Sequence, residues 1–109
     1  MKQYEIRWAA MPAPIGRRPV LLLSRTAAHE YLNKVIVAEV TTTVRHIPQE
    51  IALDEIEGVA HPSVVNFDNV HVVATSRLGR AIGTLDASRV REVKRALGYA
   101  LDWPELKVL

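Results

Sequence analysis

The 109-residue chain has no cysteine. That absence excludes a disulfide framework and a thiolate-held metal, and it fits a reducing compartment. Long apolar runs are missing as well. Nothing approaches the roughly 18 residues of a membrane-spanning helix, and Met1-Lys2-Gln3-Tyr4-Glu5 lacks the pattern of a secretion signal. The chain therefore reads as cytoplasmic, with no membrane partner. Its four histidines, His29, His46, His61 and His71, stand 17, 15 and 10 residues apart. These gaps exceed the short ligand spacings of a metal site, so no metal and no other cofactor is expected. There is no G-x-S-x-G elbow, no P-loop and no dinucleotide fingerprint, which leaves acyl transfer and nucleotide-cofactor chemistry without support.

What is present suits one compact domain over residues 1–109. Half of the chain is apolar (49%), enough for a real core but not for two. The formal charge is only +2, yet it is unevenly spread. No Lys or Arg falls between Arg45 and Arg77, while Glu50, Asp54, Glu55, Glu57 and Asp68 do. Arginine outnumbers lysine ten to four. The guanidinium fork suits bidentate phosphate contact, so a polyanionic partner is favoured, although a GC-rich genome produces the same ratio.

The organising stretch is Gly16-Arg17-Arg18-Pro19-Val20-Leu21-Leu22-Leu23-Ser24. Gly16 supplies a turn, Pro19 opens a strand, and Val20 to Leu23 run apolar without alternation, as a strand covered on both faces does. Before it, Tyr4 to Ala10 alternate as a half-buried strand, and the proline-rich Met11 to Gly16 form a loop. After it, Thr26 is placed to cap a short helix, and Lys34 to Val40 form an apolar strand that Thr41-Thr42-Thr43 extends. A short strand is expected over Gln49 to Leu53, an acidic loop over Asp54 to Pro62, and one or two strands over Ser63 to Thr75 with a bulge or turn at Asp68-Asn69. Leu78-Gly79-Arg80 reads as a turn before a brief strand, Ala81 to Leu85. Asp86 caps the only long helix, with Val90, Val93, Leu97 and Leu101 as its apolar stripe and Pro104 as its end. The sum is a mainly β domain: a small, strongly curved sheet or barrel with a C-terminal helix.

Arg17 and Arg18 at one strand start and Thr41 to Thr43 at another strand end are the candidates for chemistry. If those strands are neighbours, both sets face one groove, where guanidinium and hydroxyl groups grip a phosphate and stabilise charge on it. The plainer reading leaves the arginines as solvated strand-edge charges and the threonines as strand filler.

Taken in order, the residues resemble the MazF/PemK toxins, the mRNA-cleaving endoribonucleases (mRNA interferases) of type II toxin–antitoxin systems. The likeness runs through Glu5-Ile6-Arg7-Trp8, Arg18-Pro19-Val20-Leu21-Leu22-Leu23-Ser24, Val40-Thr41-Thr42-Thr43 and Ile47-Pro48. It continues in Ser63-Val64-Val65-Asn66-Phe67-Asp68-Asn69-Val70, Ser76-Arg77-Leu78 and Ile82-Gly83-Thr84-Leu85. The resemblance implies an SH3-like barrel, a homodimer, and metal-independent, sequence-specific cleavage of single-stranded RNA through its 2′-hydroxyl. It also implies a MazE-like antitoxin whose acidic, disordered tail covers the RNA groove. By position it makes Arg18 and Thr41 catalytic, with Arg17, Thr42, Thr43, Arg45, His46, Asn69 and His71 holding RNA.

The chain departs from that pattern in places. Tyr4 stands where the family commonly has glycine. The loop before Arg18 is short, and the acidic helper it often carries is absent, so His46 becomes a substitute proton carrier. Asp68-Asn69 and His71 replace an acidic-Gln pair and a basic residue, which alters the expected base preference. The competing function is a non-catalytic toxin or nucleic-acid-binding module of the same fold, like the gyrase poisons.

Overall fold

A computed structural model describes residues 1–109. Six strands form one antiparallel sheet: β1 (Glu5–Ala10), β2 (Arg17–Leu22), β3 (Lys34–Thr41), β4 (Glu50–Leu53), β5 (Ser63–Ala74) and β6 (Leu78–Thr84). Their spatial order is β4-β5-β3-β2-β1-β6. Register shifts between β1 and β6 and between β3 and β5 strengthen the twist. The sheet curls into a half-barrel, closed on one side by the helix α2 (Val90–Leu101). Two short helices, α1 (Ala28–Tyr31) and α3 (Pro104–Lys107), complete the fold, and no helix is long and apolar enough to cross a membrane.

β2 is buried on both faces as its unbroken apolar run predicts, with Val20, Leu21 and Leu22 fully enclosed. Alternation divides it between two cores. Leu21 joins Ile6, Ala38, Val40, Val65, Phe67 and the helix residues Val93 and Ala96 on one face. Val20 and Leu22 join Ala9, Met11, Val35, Val37 and Val73 on the other. Gly16 enters β2 at φ +72°, and its carbonyl accepts from the Met11 N–H at 3.1 Å to close the proline-rich loop. Tyr4 also sits at positive φ, +70°. This is the backbone geometry that glycine adopts freely, so a glycine at this place in the family has a physical reason.

Several local expectations change. Thr26 does not cap α1: its hydroxyl accepts from the Gln3 N–H at 3.1 Å, tying the chain start to the helix entry. Leu78 to Arg80 belong to strand β6 instead of a turn, because a single 3-10 turn over Thr75–Arg77 already reverses the chain. Asp86 caps that region as expected, accepting from the Ser88 N–H, but through a 3-10 turn, Ala87–Arg89, that leads into α2. The helix stripe is Val93, Ala96, Leu97 and Ala100, while Leu101 is half exposed. α2 ends at Leu101 with Asp102 in the left-handed region, and Pro104 starts α3.

Gly83 marks the tightest approach in the fold. A Cβ there would lie 2.1 Å from the Glu57 carbonyl oxygen, whereas one at Gly79 would meet only Trp8 at 3.5 Å. Gly83→Ala is therefore expected to lower stability by about 1–3 kcal/mol, the usual range for overpacking, and Gly79→Ala to change it little. Urea unfolding of both variants checks this.

Candidate functional site

Pro19 shapes the site through the hydrogen bond it cannot make. β2 pairs with β3 at Val20–Glu39, Leu21–Ala38 and Leu22–Val37, and the Leu23 N–H donates to the Ile36 carbonyl at 2.9 Å. Odd-numbered residues of β2 thus aim their N–H groups at β3. Pro19 is next in that series and has no N–H, so the ladder ends at Val20–Glu39. The same register carried two residues further sets Arg18 opposite Thr41, so the two candidate catalytic residues occupy facing strand ends.

Between them and the core lies Glu39. The Arg18 Nη1 donates to Glu39 Oε1 at 2.9 Å, and His71 Nε2 lies 2.5 Å from Glu39 Oε2. The Glu39 side chain is 8% exposed, those of Arg18 and His71 about a third. A buried carboxylate is costly unless charged hydrogen bonds satisfy it, and each of its oxygens has such a partner here. His71 reaches it because β5 pairs Val37 with His71, diagonal to Glu39, before the register breaks between Ala38 and Glu39. The extra residues Phe67, Asp68 and Asn69 form the bulge expected near Asp68-Asn69, with Asn69 exposed.

Arg17 goes to the opposite face. Its guanidinium lies 4.6 Å from the Trp8 ring centre, a cation–π contact, and it has no part in the Glu39 cluster. The pair of arginines thus divides as strand alternation requires. The Thr41 hydroxyl accepts from the Thr43 N–H at 3.1 Å, which leaves its own hydrogen to donate elsewhere. Thr42 and Thr43 are exposed. Thr41 and Thr42 line a cavity of about 280 Å³ together with Trp8, Pro19, His61 and Arg80. An aromatic face beside hydroxyls and a guanidinium is what an unstacked nucleobase requires.

Arg45 and His46 sit in the β3–β4 loop, where both backbone N–H groups donate to the Glu50 carboxylate, at 3.0 and 3.1 Å. His46 adopts φ +57° and lines a larger cavity of about 860 Å³. That cavity also holds Glu50, Asp54, Glu57 and Asp86. Its one arginine, Arg89, is bound to Glu92 at 2.8 and 2.9 Å, which holds the Glu92 carboxyl below the usual range despite partial burial. Such a lining is unfavourable for a polyanion, whereas the smaller cavity beside Thr41 has no carboxylate in its lining. The histidine beside Arg18 is His71, not His46. Glu39 was not among the sequence candidates; its only signal is a lone carboxylate inside the apolar run Val35-Ile36-Val37-Ala38-Glu39-Val40.

Comparison with known proteins places this geometry in context. The profile of the family described as PemK-like, MazF-like toxin of type II toxin-antitoxin system matches residues 2–101. Endoribonuclease MazF3 of Mycobacterium tuberculosis is 43% identical over 88 residues, covering 79% of this chain and 85% of that protein. The solved structure of Mycobacterium tuberculosis toxin MazF-mt6 superposes with a TM-score of 0.85 at 39% identity, over 90% of this chain and 96% of that one. A MazE-MazF structure from Deinococcus radiodurans superposes at TM-score 0.74 and 26% identity, over 93% and 94% of the two chains.

The two arginines should differ in what they do for the fold. Arg18→Ala leaves a buried carboxylate short of a partner and is expected to cost about 1–3 kcal/mol. Arg17→Ala removes an exposed cation–π contact and is expected to cost about 0.5–1 kcal/mol. Urea titration of the two variants measures the difference, and equal losses would contradict the division between faces.

Proposed function

The chain belongs to the PemK-like, MazF-like toxin family of type II toxin–antitoxin systems, and from that premise we propose that Arg18 and Thr41 are the residues with which this endoribonuclease cuts RNA. The observation that carries the proposal is their convergence: Arg18 is anchored on Glu39 at 2.9 Å, and Thr41 follows on the facing strand with a hydroxyl hydrogen to donate. The names of the relatives favour a nuclease over a silent binding module of the same fold.

The reaction is an internal transesterification. The RNA 2′-oxygen attacks the adjacent phosphorus, the bond to the 5′-oxygen breaks, and a 2′,3′-cyclic phosphate and a 5′-hydroxyl result. Negative charge gathers on the non-bridging oxygens as phosphorus becomes five-coordinate. Arg18 answers that charge with a fixed positive fork, and Thr41 with a neutral donor. Arginine holds its proton far above neutral pH, so Arg18 stabilises charge and does not exchange protons. Arg45 in the β3–β4 loop and Arg17, on the other face beside Trp8, are the cations for phosphates further along the strand, and single-stranded RNA is favoured because its bases can leave the stack for the cavity at Trp8. The family pattern implies cleavage without a metal, and the assay in chelator below tests it.

A MazE-like antitoxin with an acidic tail would compete for the same cations. The protein acts as a homodimer, for which Ile36 and Val72, paired across β3 and β5 and 44% and 65% exposed, offer an apolar seam.

Arg18→Ala is expected to lower turnover by about 10² to 10³, the usual effect of losing a transition-state donor. Thr41→Val, which removes only the hydroxyl, should slow cleavage without altering the fold. Assay on a defined RNA in chelator, with mapping of cut ends and circular dichroism, checks both. Near wild-type turnover for Arg18→Ala, or activity only with added Mg²⁺, would overturn the assignment. The protein should also scatter light with twice the 12.2 kDa chain mass, and a monomer would contradict the pairing.

A further inference from the structure

Arg18 and Thr41 stabilise charge, but neither removes the proton of the attacking 2′-hydroxyl, and the loop before Arg18 carries no acid. Met11-Pro12-Ala13-Pro14-Ile15-Gly16 contains no ionisable side chain at all. The structure supplies an alternative on β5. His71 approaches Glu39 through Nε2. An ionised carboxylate only accepts, so Nε2 carries the hydrogen and Nδ1 of the neutral ring is bare. Nδ1 has no protein partner and is not buried, and the ring is about a third exposed. A bare imidazole nitrogen open to solvent therefore stands next to Arg18, because the two residues hold the two oxygens of one carboxylate.

We propose that His71 is the general base of this RNA cleavage and that Glu39 is its positioning residue, an inference that rests on the nuclease reading of the Arg18–Thr41 site. Nδ1 takes the proton of the 2′-hydroxyl as the 2′-oxygen bonds to phosphorus. The phosphorus bond to the 5′-oxygen breaks with its electron pair on oxygen, and that oxygen takes a proton from water. The hydroxide so formed removes the proton from Nδ1, and the enzyme returns to its starting state. Glu39 fixes the tautomer and stabilises the imidazolium while it exists, as the carboxylate of a catalytic triad does. The charged groups that face His71 are Glu39 from β3 and, through it, Arg18 from β2; its other neighbours on that face, Val37 and Val73, are apolar.

The test is single-turnover cleavage of one defined RNA at saturating enzyme, in chelator, from about pH 5 to pH 9, across the range in which imidazole titrates. The proteins compared are wild type, His71→Gln, His46→Gln and Glu39→Gln, each checked by circular dichroism. Wild type should lose rate as pH falls through that range. His71→Gln should lower the plateau rate by about 10² and abolish the acid limb, and His46→Gln should keep the acid limb whatever its effect on the rate. Glu39→Gln should slow the reaction and move the limb to lower pH, because the neutral amide no longer favours the imidazolium. Wild-type rate and limb in His71→Gln would overturn the proposal and leave the nuclease reading intact. A full saturating rate with weakened RNA binding would make His71 a binding residue and also overturn it. Wild type that leaves RNA intact would overturn both readings. If His71→Gln fails to fold, an unshifted limb in Glu39→Gln decides against the proposal.

Discussion

One buried carboxylate organises this molecule. Glu39 sits in the central strand β3, where burial would be unfavourable for an isolated anion, and it is tolerated because Arg18 and His71 bind one oxygen each. The need to satisfy Glu39 holds both side chains at one end of the sheet. Arg18 Nε is buried without a partner, while both side chains stay about a third exposed and His71 Nδ1 is not buried. The missing N–H of Pro19 matters for the same reason: it ends the ladder between β2 and β3 at Glu39 and leaves Arg18 and Thr41 without a backbone bridge between them.

Charge is separated across the structure in a way that suits a polyanion. Arg17, Arg77 and Arg80 cluster about Trp8 and the β1–β6 side, continuous with the cavity beside Thr41. In the acidic stretch between Arg45 and Arg77, Glu50 and Asp54 cap backbone N–H groups and Glu57 pairs with Arg89. They stabilise loops and turns there. A net charge of +2 thus understates the field that RNA would meet.

Much of this was legible in the sequence, and the failures have identifiable causes. The doubly buried strand after Pro19, the turn at Gly16, the bulge at Asp68-Asn69 and the role of Asp86 as a cap all follow from local chemistry. Strand alternation alone separates Arg17 from Arg18, since consecutive residues face opposite ways; grouping them in one groove neglected it. Glu39 was hidden for another reason. A carboxylate in an apolar strand shows its function only when the register is known, and the register here depends on a three-residue bulge in β5. The same bulge brings His71 to the cluster, while His46, nearer in sequence to Thr41, is held by Glu50 beside an acidic cavity.

The most direct test of this arrangement is the hydrogen on His71. Nitrogen-15 spectra of the imidazole, recorded on the folded protein above the pH at which histidine is protonated, distinguish the two tautomers. A protonated Nε2 and a bare Nδ1 in the wild type, with the preference lost in Glu39→Gln, is the result required by a carboxylate that holds His71 through Nε2. A hydrogen on Nδ1, or a tautomer mixture that does not respond to Glu39, would contradict the central role given to that residue.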